Sequence, residues 1–194
     1  MNVYDFDNTI YHGDSTRDFV KYCMKKHPKA LLYLPYIGYA TIRYYLFHIG
    51  NKTQFKEKMY RFLKACDAEN DVEAFWSTHI QNIKGFYRAI HRDDDLIISA
   101  SPEFLLKPLE DKLHITVIAS RVSSTDGTTT GLNCYHSEKV RRFRERLPDG
   151  TIEAFYSDSY SDEPLALLAE KAYIVEDEML IPWDYNVHKK HLRT

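Results

Sequence analysis

Apolar and polar positions along this chain switch from a strand-like rhythm to a helical one and back. Residues 1–6 form a short apolar run that reads as a strand, in which side chains two apart share a face. From about residue 11 to 85 the spacing is helical throughout. Asp14-Ser15 caps a helix running to residue 26, His27-Pro28 breaks it, an apolar-aromatic segment covers 29–50, and helices follow over 54–66 and 72–84. Strand-like runs return at Leu96-Ile97-Ile98, at 115–120, at Ala154-Phe155-Tyr156 and at Tyr173-Ile174. Between them lie a helix starting near Glu103, a hairpin around Asp126-Gly127 and a helix over 137–147. The pattern predicts an α/β core from residues 1–11 and 86–194, interrupted by a helical insertion over 12–85.

Segment 29–50 approaches membrane composition in Ala30-Leu31-Leu32-Tyr33-Leu34-Pro35-Tyr36-Ile37-Gly38-Tyr39-Ala40. Crossing a bilayer takes about 20 mostly apolar residues. Here Arg43 and His48 interrupt, the tyrosines suit an interface better than a hydrocarbon centre, and mean hydropathy is −0.48. A buried helix of the insertion is the expectation, and one lying on a membrane surface is the alternative. Basic groups at Lys25-Lys26 and over 188–193 fit docking on anionic lipid and fit a soluble tail equally well.

At 194 residues the chain accommodates one core and a modest insertion. A net charge of −2 supplies no broad positive field, so nucleic acid is not an expected partner. Three scattered cysteines and no apolar leader before the first strand point to a reducing cytoplasm. Composition leaves the oligomeric state open.

The chemistry concentrates where strands end. Asp5 and Asp7, in the run Asp5-Phe6-Asp7-Asn8-Thr9, leave the first strand pointing the same way, and closely packed carboxylates resist double ionisation, so that one can hold a proton while the other stays an anion. An isolated Asp-x-Asp is as readily a solvated strand end. The next strand ends in Ser99, Ala100 and Ser101, offering hydroxyls and backbone N–H groups to an anion. Lys139 begins a helix and can neutralise phosphate oxygens, although it also belongs to a basic face. Asp158 and Asp162 could complete a site of oxygen ligands for a hard cation. Alternatively, Ser99 and Asp162 could each cap a helix, as could Ser101 before Glu103. What those bland readings leave unexplained is nucleophile, hydroxyl, lysine and acid cluster at successive strand ends.

In that order the residues resemble the motifs of the haloacid dehalogenase superfamily, in the branch containing phosphoserine phosphatase. Asp5-Phe6-Asp7-Asn8-Thr9 looks like the Asp-x-Asp-x-Thr motif, Ser99 the serine or threonine motif, Lys139 the lysine motif, and Asp158 with Asp162 the acidic motif. Asn8 departs from a position where relatives often carry Gly or Ser, and Asn tolerates the same unusual backbone angles. The resemblance implies a Rossmann-like parallel sheet with helices on both faces and an inserted helical cap over residues 12–85. It further implies a phosphatase in which Asp5 attacks phosphorus, Asp7 serves as acid and base, and Lys139 and Ser99 stabilise the phosphoryl group. Thr9, Asp14, Ala100 and Ser101 would help bind substrate. Magnesium would be held by Asp5, the Asp7 carbonyl and Asp158, supported by Asp162.

The cap start, from Asp14 to Pro35, and the run Cys134-Tyr135-His136-Ser137-Glu138-Lys139-Val140 resemble the phosphatidylglycerophosphatase C family, whose substrate is a lipid phosphate. The expected substrate is therefore a small or lipid-derived phosphomonoester. Phosphoserine stays open: Asp14 stands near the place of that enzyme's glutamate, but no arginine matches its partner. A different class, a phospho-accepting switch without turnover, shares the acids, hydroxyl and lysine but needs neither Asp7 nor the insertion.

Overall fold

The computed structural model describes residues 1–186. Its framework is a six-stranded sheet. In chain order the first elements are β1 (Asn2–Tyr4), α1 (Ser15–Lys26), α2 (Leu34–Tyr45), α3 (Lys52–Met59), α4 (Ala68–His79) and α5 (Gly85–Ile90). They are followed by β2 (Leu96–Pro102), α6 (Glu103–Leu106), α7 (Leu109–Leu113), β3 (Thr116–Ser120) and α8 (Ser137–Arg146). The chain then forms β4 (Ile152–Ser157), α9 (Glu163–Ala166), β5 (Ala169–Glu176) and β6 (Met179–Pro182). The strands lie in the order β3-β2-β1-β4-β5-β6, parallel except for the antiparallel edge strand β6.

Register and burial explain why β1 is central. Val3 sits beside Leu96 and Phe155, and Tyr4 beside Ile97 and Tyr156. The first three side chains pack on one face of the sheet with Phe143 of α8 and Leu165 of α9. The other three pack on the opposite face with Phe19, Phe75 and Trp76 of the insertion. A strand covered on both faces by helices must be apolar at every position, as Asn-Val-Tyr nearly is. The expected Rossmann-like α/β architecture is present, with one antiparallel edge.

The insertion is not a separate lobe. Trp76 is fully buried against Phe6 and Tyr11, and its Nε1–H donates to the Leu105 carbonyl at 2.6 Å. Helices α1 and α4 therefore share one core with the sheet. As the sequence predicts, Asp14 caps α1, accepting from the Arg17 N–H at 2.8 Å, and His27-Pro28 ends it.

Segment 29–50 differs from expectation. It divides into a 3₁₀ turn (Pro28–Tyr33) and α2, and only Ala30, Ile37 and Ala40 are buried there. Pro35, near the start of α2, cannot donate to a preceding turn, which favours a fresh start. No described helix is long and apolar enough to cross a membrane. The expected helix over 72–84 ends earlier, at His79, and Ile83 instead makes an antiparallel bridge to Tyr11. Around Asp126-Gly127 the chain doubles back through a Val122–Thr129 bridge, with Gly127 at φ +76°. Strand β6, exposed at all four residues, carries no alternation and was not legible in the sequence. The basic residues at 188–193 lie outside the described residues.

Candidate active site

The carboxyl end of β1 turns sharply. Asp5 still pairs with β4, its N–H donating to the Tyr156 carbonyl at 2.8 Å, and Asn8 then takes φ +56°. Two contacts hold this left-handed residue: its N–H donates to the Gly13 carbonyl at 2.8 Å, and its carbonyl accepts from Lys84 Nζ at 2.6 Å. The turn aims Asp5 and Asp7 into a cleft of about 340 Å³. Asp14, Ser99, Ala100, Ser101, Lys139, Asp158 and Asp162 line the same cleft.

Lys139 is the hub. Its side chain is 2% exposed, and Nζ donates to Asp5 Oδ1 and to Asp162 Oδ2, each at 2.7 Å. Ser157 Oγ donates to the same oxygen of Asp162 at 2.8 Å. Burial alone would lower the ammonium's pKa, but Asp5 and Asp162 outweigh it and hold Lys139 above the ordinary lysine value. Asp5 is pushed up to about 7, first by burial and then by Asp162 and Asp158, against the pull of Lys139. Asp158 is raised by burial and by Asp162.

Asp7 is held separately. One oxygen accepts the Ser15 N–H at 2.6 Å, at the start of α1, and the other accepts the hydroxyl of Ser101. Thr16 Oγ1 lies 2.7 Å from that hydroxyl. Burial, with Asp14 nearby, raises the Asp7 pKa despite these hydrogen bonds. The pair thus combines a lysine-bound carboxylate with a second carboxyl held two residues on.

This geometry corrects the expectation for Thr9 and does not realise the helix-cap alternatives for Ser99, Ser101 and Asp162. Thr9 does not line the cleft: it is fully buried, and its Oγ1 accepts the Asp158 N–H at 2.9 Å, so it positions an acid instead of touching substrate. Asp162 does not cap α9 with its side chain but is turned onto Lys139 and Ser157. Ser101 does not cap α6, because Asp7 takes its hydroxyl. Ser99 accepts the Ser101 N–H at 3.1 Å instead of starting a helix. The Ala100 carbonyl accepts from Lys56 Nζ at 2.8 Å and Ser120 Oγ at 2.9 Å. Asp14 both caps α1 and lines the cleft.

Sequence reading missed Thr16, Lys56, Tyr60 and Tyr135, which also line the cleft. The available signal was the four-residue spacing of Lys56 and Tyr60, which puts both on one helical face.

The donor chemistry fits a hard divalent cation. Three carboxylates, Asp5, Asp158 and Asp162, gather about one lysine, and Asp158 takes a long 3.5 Å contact from the Thr9 hydroxyl and a hydrogen bond from its own backbone. Among the described residues no three acidic, histidine or cysteine side chains form a ready cage, since Asp5 and Asp162 are both turned onto Lys139.

A mostly parallel α/β sheet with acids and hydroxyls at the carboxyl ends of its strands, and a lysine from α8 among them, has the arrangement of an enzyme site at a topological switch point. Residues 3–167 match the family model of the haloacid dehalogenase-like hydrolases, and the chain belongs to that family. No curated protein matches it in sequence. Among solved structures it resembles a protein of unknown function from Bordetella pertussis Tohama I, with a TM-score of 0.68, 17% identity, and coverage of 100% of this chain and 95% of that one. A phosphoserine phosphohydrolase-like protein from Francisella tularensis SCHU S4 gives a TM-score of 0.55 at 18% identity, over 92% and 89% of the two chains. A probable phosphoserine phosphatase from Vibrio cholerae gives 0.60 at 13% identity, over 88% of this chain and 55% of that one. At such identities the likeness is one of fold.

Proposed function

We propose that the protein is a magnesium-dependent phosphatase that hydrolyses a phosphomonoester through an aspartyl-phosphate on Asp5. The observation that carries this reading is the contact of Lys139 with Asp5 and Asp162, beside an Asp7 held on the same loop by Ser15 and Ser101.

In the first step an Asp5 oxygen forms a bond to phosphorus as the bond to the leaving oxygen breaks, and Asp7 gives that oxygen its proton. In the second, Asp7 takes a proton from water as the water oxygen attacks phosphorus and releases Asp5. Burial of Asp7 supports this alternation, since a pKa raised above the ordinary aspartate value favours the protonated form more than in a solvated carboxyl. Lys139 lies against the attacking group, where its charge offsets that of the phosphoryl oxygens. The Ser99 hydroxyl, in the cleft wall, donates to one of those oxygens. Asp5, the Asp7 carbonyl and Asp158 would hold magnesium, which supplies further charge neutralisation. Asp162 positions Lys139.

The substrate is a small phosphomonoester, lipid-derived ones included. Phosphoserine is the second reading, favoured by the opposite charges of Asp14 and Lys56 in one cleft, which suit an ammonium and a carboxylate. The three free cysteines accord with a cytoplasmic location.

The test is phosphate release with magnesium from phosphoserine, small alcohol and sugar phosphates, and a short-chain phosphatidylglycerophosphate, with Asp5→Asn as control. Repeated turnover that needs Asp5 and metal is expected. A single modification without turnover would transfer the site to the switch reading.

A further inference from the structure

The outer side of the insertion is apolar and uncovered. Nine of the seventeen large apolar side chains exposed among the described residues fall within 31–49, so the exposure is concentrated there. Within α2 one side is fixed: Ile37 and Ala40 are buried, Tyr44 stacks on Phe55 of α3 at 4.7 Å, and Thr41 lies against Met59. The opposite side presents Tyr39 and Ile42, and the chain beyond the helix adds Leu46, Phe47 and Ile49, all about half exposed or more. Leu32 on the preceding turn is 79% exposed.

Charge indicates what covers this face. Residues 19–56 contain no Asp or Glu and seven Lys or Arg, in a chain of net charge −2. Lys21 and Lys26 pair with Asp18 and Asp71, while Lys25 and Lys29 are exposed and hold no ion pair among the described residues. The same stretch holds six of the fifteen tyrosines, whose rings are suited to the level of lipid headgroups. Two copies packed through this face would bring like charges together, which disfavours self-association. An apolar helical face with aromatic neighbours and unpaired lysines in the preceding segment matches an anionic bilayer surface.

We infer that the face formed by Leu32, Tyr39, Ile42, Leu46, Phe47 and Ile49 docks the protein on an anionic lipid surface. The helix lies in the plane of the interface, with its apolar residues below the headgroups and the lysines among them. This part of the chain also supplies the cleft, since Lys56 of α3 reaches the Ala100 carbonyl. The inference does not depend on hydrolysis.

The experiment is flotation of the full-length Asp5→Asn protein with vesicles containing phosphatidylglycerol or made of phosphatidylcholine alone. Binding to the anionic vesicles is expected, weakened by salt, and about tenfold weaker when Leu46→Ser and Phe47→Ser are combined. Both side chains are largely in water, so the pair leaves the fold intact, as circular dichroism would verify. No flotation with anionic vesicles, or flotation unchanged by the two substitutions, would overturn the assignment. A dimer in sedimentation velocity that the same pair dissolves, without flotation, would give the face to a second copy. Because the readout is binding by a variant disabled at the nucleophile, its failure is separate from failure of the phosphatase reading.

Discussion

The hydroxyl of Ser101 donates to a carboxylate oxygen of Asp7, across 94 residues of chain. That contact fixes the second acid of the site against the end of β2, while the Ser15 N–H fixes its other oxygen.

Ser101→Ala should therefore loosen Asp7 without moving Asp5. The expected result is a fall in kcat of about 10- to 100-fold with KM little changed, since the hydroxyl orients a proton carrier. Steady-state kinetics on the preferred substrate checks it, and a change confined to KM would instead make Ser101 a substrate contact.

Lys139→Met should cost both activity and stability. The ammonium is buried and paired with Asp5 and Asp162, and removing it leaves two carboxylates facing each other out of water. A loss of about 3 kcal/mol is expected in urea unfolding, with turnover abolished.

Trp76→Phe tests whether the insertion and the sheet are one cooperative unit. It leaves the Leu105 carbonyl without its donor and a gap beside Phe6, for a cost of about 2–3 kcal/mol. Far-UV circular dichroism should show a single transition at lower denaturant. Two separated transitions would mean that the insertion folds independently.

Acid sensitivity should trace partly to Glu138, whose side chain is 8% exposed. Arg141, with Arg142, holds its carboxyl below the ordinary glutamate value, and Arg142 also donates to the Ala119 and Leu132 carbonyls. A depressed folded-state pKa adds stability above the unfolded value, near 4.5, and that stability is lost as pH falls through the folded value. Glu138→Gln should lower stability at neutral pH by about 2 kcal/mol and flatten its pH dependence below about 5. Urea midpoints measured between neutral and acidic pH check both.

Magnesium should raise the thermal midpoint by a few degrees at saturation, as ligands that bind only the folded state do. Asp158→Asn should reduce that shift, which differential scanning calorimetry reads without any substrate.

Local signals determined a large part of this protein. Alternation and apolar runs located the strands that pair in the sheet's interior, because strands buried on both faces must be apolar, and Asp14 and His27-Pro28 marked the ends of α1 through capping and backbone chemistry that act within a few residues. The order of Asp5, Asp7, Ser99, Lys139 and Asp158 was legible because each follows or precedes a recognisable strand or helix. Strand β6 was not, since an exposed edge strand needs no pattern of its own. Only the tertiary structure decided the partners. That Ser101 serves Asp7, Thr9 serves Asp158 and Asp162 serves Lys139 depends on which strand ends are brought together, and a hydroxyl or carboxylate has the same local preferences whether it caps a helix or holds a distant side chain. The exposure of 31–49 is of the same kind: its apolar sequence reads alike as core or as surface, and only the packing of α2 on α3 leaves that face in water.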